Sequence, residues 1–130
     1  MGEHAEIAGR MVDVFNRLSV EEALPLCDPT VELTTLFDDP GEHEFAGHDG
    51  VGLWFERLER TWVFVDIRDW RVEDHGEWIL VSGHARVRGR GSPNEIELEW
   101  ISAGKVAGGR FVKLGLYPSR ERAMLAIEDG

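Results

Sequence analysis

The chain has 130 residues, of which 42% are hydrophobic and 30% charged. That is the size and balance of one soluble domain, able to bury a core without disulfides or metal. Asp and Glu outnumber Lys and Arg 25 to 14, a formal charge of −11, which argues against nucleic acid and anionic membranes as partners, since both select a surplus of basic residues. Cys27 is the only cysteine, so no intrachain disulfide can form. The acidic start lacks a signal-peptide pattern, and no apolar run approaches the ~20 residues of a membrane helix. One cytoplasmic domain over residues 1–130 is expected.

In chain order, Ile7, Met11, Val14, Phe15 and Leu18 recur at helical spacing and predict an amphipathic first helix. Ser19 followed by Glu22 has capping-box spacing and predicts a short second helix, ended by Pro25 and Asp28-Pro29. Val31, Leu33 and Thr35 alternate with Glu32 and Thr34 as in a half-buried strand. Residues 38–48 read as an exposed loop. A third helix is expected over 49–60, with Val51, Trp54, Phe55 and Leu58 on its apolar face. Beyond Arg60 the period changes to two, and strands are expected over 61–73, 77–88, 94–106 and 110–117. Pro118-Ser119 opens a last helix that docks through Ala123, Met124 and Ile127. Helices first and a meander afterwards make the fold class α+β, in the order α-α-β-α-β-β-β-β-α.

Charge and burial together predict one strand register. If paired positions sum to 183, Arg88, Arg86 and His84 face Glu95, Glu97 and Glu99 on one side. Val87, Ala85 and Gly83 then face Ile96, Leu98 and Trp100 on the other. This turns His84 and Arg86 outward. In the last hairpin, a Gly108-Gly109 turn sets Trp100 against Tyr117 inside, and Ile101 and Ala103 against Leu116 and Leu114 outside. An apolar outer face needs cover, and a homodimer formed sheet to sheet is the expected cover. The long strand 61–73 has two possible parities. One places Phe64, Asp66, Arg68 and Trp70 inward, and the other Val63, Val65 and Ile67.

Several strings, in this order, carry a family resemblance: Cys27-Asp28-Pro29-Thr30-Val31-Glu32; Phe45-Ala46-Gly47-His48-Asp49-Gly50-Val51 with Trp54-Phe55; Arg88-Gly89-Arg90-Gly91-Ser92; and Tyr117-Pro118-Ser119-Arg120-Glu121. The chain resembles the SnoaL-like family of the nuclear transport factor 2-like superfamily over residues 7–127. The resemblance implies a cone: a curved antiparallel sheet wrapped around helices, enclosing a deep, mostly apolar pocket. Members include polyketide cyclases, ketosteroid isomerases, dehydratases and epoxide hydrolases, together with proteins that only bind ligands or other proteins, so fold does not give function. The isomerases place a general-base Asp two residues after the position of Val31, where this chain has Leu33. The cyclases pair a His with an Asp on neighbouring strands, and His84 with Glu99 matches that spacing.

Three functions follow. In an acid–base enzyme acting on a small apolar carbonyl compound, Asp66 is the candidate base, Arg68 its orienter or electrophile and His84 a further candidate, because an apolar pocket makes a carboxylate a stronger base. Phe15, Trp54, Trp100 and Tyr117 would line the ligand site. The alternatives are a binder of a small apolar ligand without a competent base, and a protein-interaction scaffold. No cofactor is expected, since no Gly-rich phosphate loop follows a strand, and no Gly-x-Ser-x-Gly nucleophile elbow occurs either. No metal is expected either: the acidic run Asp38, Asp39, Glu42, His43 and Glu44 lacks metal-site spacing. Cys27 reads as a small buried hydrophobe.

Overall fold

A computed structural model describes residues 3–35 and 43–130. The chain forms α1 (Glu3–Arg17), α2 (Val20–Ala23), a 3-10 turn (Leu24–Leu26), β1 (Cys27–Thr35), β2 (His43–Ala46), α3 (Gly47–Thr61), β3 (Trp62–His75), β4 (Trp78–Gly89), β5 (Ile96–Ala107), β6 (Arg110–Tyr117) and α4 (Arg120–Asp129). The expected element order holds, with β2 added inside the stretch read as loop. Asp38, Asp39 and Glu42 lie outside the described residues. No described helix is long and apolar enough to cross a membrane.

Local chemistry explains the boundaries. Leu18 takes a left-handed backbone with φ of 50°. Its N–H donates to Phe15 and the Ser19 N–H donates to Val14, the paired bonds that close a helix C-terminus. Ser19 Oγ then accepts from the Glu22 N–H at 3.2 Å, so α2 starts where α1 ends. The Glu22 side chain does not complete a capping box and takes Arg17 at 2.6 Å instead. Ser119 caps α4 in the same way, accepting from the Arg122 N–H at 3.2 Å.

The strands form one sheet in the order β2-β1-β6-β5-β4-β3. β1 runs parallel to β6, whereas every other neighbouring pair is antiparallel, so the sheet is mixed and not wholly antiparallel as expected. The β4–β5 register is the predicted one: His84 faces Glu99, Arg86 faces Glu97 and Gly83 faces Trp100. On the concave face, α1 and α3 bury Ile7, Met11, Phe15, Val51, Trp54 and Phe55 against Val81, Ala85, Val87 and Trp100.

Two bulges decide the remaining parities. In β3, Arg68 pairs with His84 but Arg71 pairs with Ser82, leaving Asp69 and Trp70 opposite Gly83. Asp69 adopts φ of 53°, and a Cβ on Gly83 would lie 2.9 Å from Trp70 Cβ, so glycine is what lets the bulge close. Val65 and Ile67 consequently face inward, opposite Val87 and Ala85, which places Asp66 and Arg68 on the outer face. In β6, Val106 pairs with Phe111 whereas Lys105 pairs with Lys113. The extra residue moves Tyr117 from the predicted partner Trp100 to Ile101.

The outer apolar face is covered within the chain. Trp78, Leu80, Ile101, Ala103 and Tyr117 form a second buried cluster with Ala123 of α4, and Met124, Ala126 and Ile127 pack against it. The premise that helices cover only one face is thus corrected: the patch that suggested a dimer lies under α4, while Leu114 and Leu116 belong to the inner core.

Candidate functional site

The concave interior is the first candidate. Phe15 is its centre, with ring centroids 5.7 Å from Trp54, 5.9 Å from Phe55 and 5.3 Å from Trp100. These aromatic pairs fall within the spacing at which rings attract beyond their burial. Beside them lies a cavity of only about 10 Å3, lined by Met11, Val14, Phe15, Ala23, Leu26 and Cys27 with Phe55, Phe111 and Leu114. That volume holds about one water, so side chains fill most of the space where the resemblance implied a deep pocket. Phe111 fills part of it by lying over Gly104, where a Cβ would come within 2.5 Å of the ring.

The chemistry of this interior is uniform. Among the described residues, Ser102 is the only buried polar or charged residue. Its Oγ and Trp54 Nε1 find no hydrogen-bond partner among the described residues. Burial pushes the Cys27 thiol up to about 11, so it stays protonated near neutral pH and is a poor nucleophile there. His48, by contrast, lies outside the core, with its Nε2 2.9 Å from the Cys27 carbonyl oxygen.

The three catalytic candidates come together elsewhere. Asp66, Arg68 and His84, with Asp69, Arg86 and Glu97, line an open groove of about 370 Å3 on the outer face. Arg68 Nε donates to Asp66 Oδ2 at 3.0 Å. Arg86 reaches Asp66 at 3.7 Å and Glu95 at 3.8 Å, rather than its ladder neighbour Glu97. Of the two parities open for this strand, the structure takes the one with Val65 and Ile67 inward, because the β3 bulge reverses the alternation; the inward placement that the roles of Asp66 and Arg68 needed is absent. Asp66 sits where water reaches it and two guanidiniums pair it.

Of the ligand-site candidates, Phe15 lines the small cavity, and Trp54 and Trp100 contact Phe15. Tyr117 does not join them: it lies on the opposite face, its hydroxyl 2.6 Å from where a Gly115 Cβ would be. Burial raises the pKa of its phenol.

Two polar links that sequence reasoning missed hold the layers together. Asn16 of α1 accepts from the Ile67 N–H at 2.7 Å, filling a backbone donor on edge strand β3. Arg120 of α4 grips Glu73 of β3, with Nε 3.0 Å from Oε2 and a second bond from the same guanidinium. That grip, with the His75 bond behind it, holds Glu73 down to about 2. The one available signal is that Asn16 interrupts the apolar side of α1; nothing local marks Glu73.

Neither a protein-family model nor a curated protein matches the sequence. Solved structures share its fold. An NTF2-like protein of unknown function from Burkholderia pseudomallei K96243 superposes with TM-score 0.79 at 18% identity, covering 96% of this chain and 97% of that one. TerC, co-crystallised with polyporic acid, gives 0.78 at 14% identity, covering 98% and 99%. A hypothetical protein with a ketosteroid isomerase-like fold from Catenulispora acidiphila DSM 44928, in complex with trimethylamine, gives 0.73 at 13%, covering 88% and 86%. With helices before a six-stranded curved sheet, the chain has the α+β fold of the NTF2-like proteins.

Proposed function

We propose that this protein binds a small apolar molecule in the interior between α1, α3 and the concave sheet face, without acid–base catalysis by its own side chains. One observation carries the reading: the interior wall is apolar, and no described carboxylate, histidine, lysine or arginine is buried in it. A neutral, mainly hydrocarbon ligand matches such a wall, because a charged one would lose its hydration without gaining a partner. One hydrogen-bond acceptor on the ligand would suit the unspent Trp54 Nε1–H.

Entry requires movement, since the present cavity is about 10 Å3. The wall best suited to move is α2 with the 3-10 turn, a four-residue helix and a three-residue turn, too short to be stable without packing. TerC with polyporic acid and the trimethylamine complex support this reading as examples of small molecules held by proteins of this fold.

The test is calorimetric titration with toluene, naphthalene and cyclohexanone. Binding is expected for at least one of them. Ala23→Val, which narrows the cavity, is expected to weaken it about tenfold or more, the effect of roughly 1.4 kcal/mol, while Asp66→Asn leaves it unchanged. Binding lost in Asp66→Asn and kept in Ala23→Val would transfer the site to the outer groove.

A further inference from the structure

We infer that the exposed edge of β5 over residues 96–99 is a docking site for an extended segment of another protein in which basic and apolar residues alternate. β4 pairs with β5 from Ile96 onward, but β6 pairs with it only from Ile101 to Ala107. On the β6 side, residues 96–99 meet no strand among the described residues. Four residues span about 13 Å of strand, enough to pair a short peptide. An open edge is a template for strand addition, in which backbone bonds supply affinity and alternate side chains supply selectivity.

The side chains state what that strand should carry. Glu97 and Glu99 point to the outer face and are exposed. Neither makes an ion pair with a described residue, because Arg86 leans to Asp66 and Glu95. On the concave side, Ile96 is 53% exposed and Leu98 is half-buried against the core. A partner strand with Lys or Arg opposite the two glutamates, and Val or Ile between them, satisfies both faces.

A second copy of this chain does not fit. Antiparallel pairing of two such edges about Leu98 sets Glu97 against Glu99 twice, and like charges directly opposite repel. The acidic edge thus discriminates against self-association while leaving a basic partner acceptable.

The experiment uses the full chain and a fluorescein-labelled peptide, Lys-Val-Lys-Val-Lys, blocked at both ends, with fluorescence anisotropy at low salt. It is expected to bind about tenfold or more tightly than the same composition ordered Val-Val-Lys-Lys-Lys, the ratio that one or two backbone hydrogen bonds supply. Two N-methylated versions, one on the valines and one on the lysines, report the backbone. In a paired strand one set of N–H groups faces β5 and the other faces solvent, so only one version should lose binding. The double variant Glu97→Gln/Glu99→Gln should bind at least tenfold more weakly, and peptide should slow hydrogen exchange within 96–99. No binding, equal binding of the reordered peptide, or equal behaviour of the two methylated versions overturns the proposal and leaves only general attraction to an acidic protein.

Discussion

The two faces of the sheet solve the same problem by different means. The concave face buries its side chains against two 15-residue helices, α1 and α3. The outer face is divided: α4 covers the apolar half around Trp78, Leu80 and Tyr117, and water covers the charged half around Asp66, Arg68, His84 and Arg86. Alternation along β4 produces this division, since Val81, Gly83, Ala85 and Val87 are buried while His84 and Arg86 are exposed. The lesson concerns chemistry: charged groups gather where solvent screens them, and among the described residues the enclosed space receives no carboxylate, histidine, lysine or arginine.

The largest expected difference between the faces is in stability. Phe15→Ala removes the ring that touches Trp54, Phe55 and Trp100 and should cost about 3–5 kcal/mol by urea unfolding. A loss below 1 kcal/mol would mean that the interior is loosely filled. The next effect tests the α4 side. Gly115→Ala drives a methyl to 2.6 Å from the Tyr117 hydroxyl and 2.8 Å from its ring, and should cost about 1–3 kcal/mol.

A third test uses pH. Glu73 is held at about 2 against its ordinary 4.5, first by the Arg120 bond. The folded state therefore binds this proton less tightly than the unfolded one. The stabilisation is complete above about pH 4.5 and is lost as pH falls through about 2. Glu73→Gln should narrow its stability gap from the wild type as pH drops across that window; a gap independent of pH would remove the grip from the account. Smallest of all, Asp66→Asn on the charged half should change stability by no more than about 0.5 kcal/mol, because exposed ion pairs contribute little.

Much of the framework was legible in the chain. Helical spacing located α1 and α3, and the opposed runs His84-Ala85-Arg86-Val87 and Ile96-Glu97-Leu98-Glu99 set the β4–β5 register, because one slip would bury charge. The candidate site was harder. Asp66, Arg68 and Tyr117 each lie beyond a bulge, near Asp69-Trp70 or between Phe111 and Lys113. One inserted residue reverses every following side chain, and neither bulge has a glycine among its own residues to announce it. Gly83 sits across from the first, on the partner strand. The homodimer expectation assumed that an outer apolar patch stays open, and α4 removes that premise without deciding how the chain associates.

The central claim is that the interior, and not the outer groove, takes an apolar molecule. Methyl-labelled protein titrated with naphthalene and followed by NMR tests it most directly. Shifts concentrated on the methyls of Val14, Leu26 and Leu114, which line the cavity, are the expected result. Shifts confined to the backbone amides of Asp66, Arg68 and His84 in the groove, followed in an amide-labelled sample, or no shifts at any naphthalene concentration the solution holds, would contradict it.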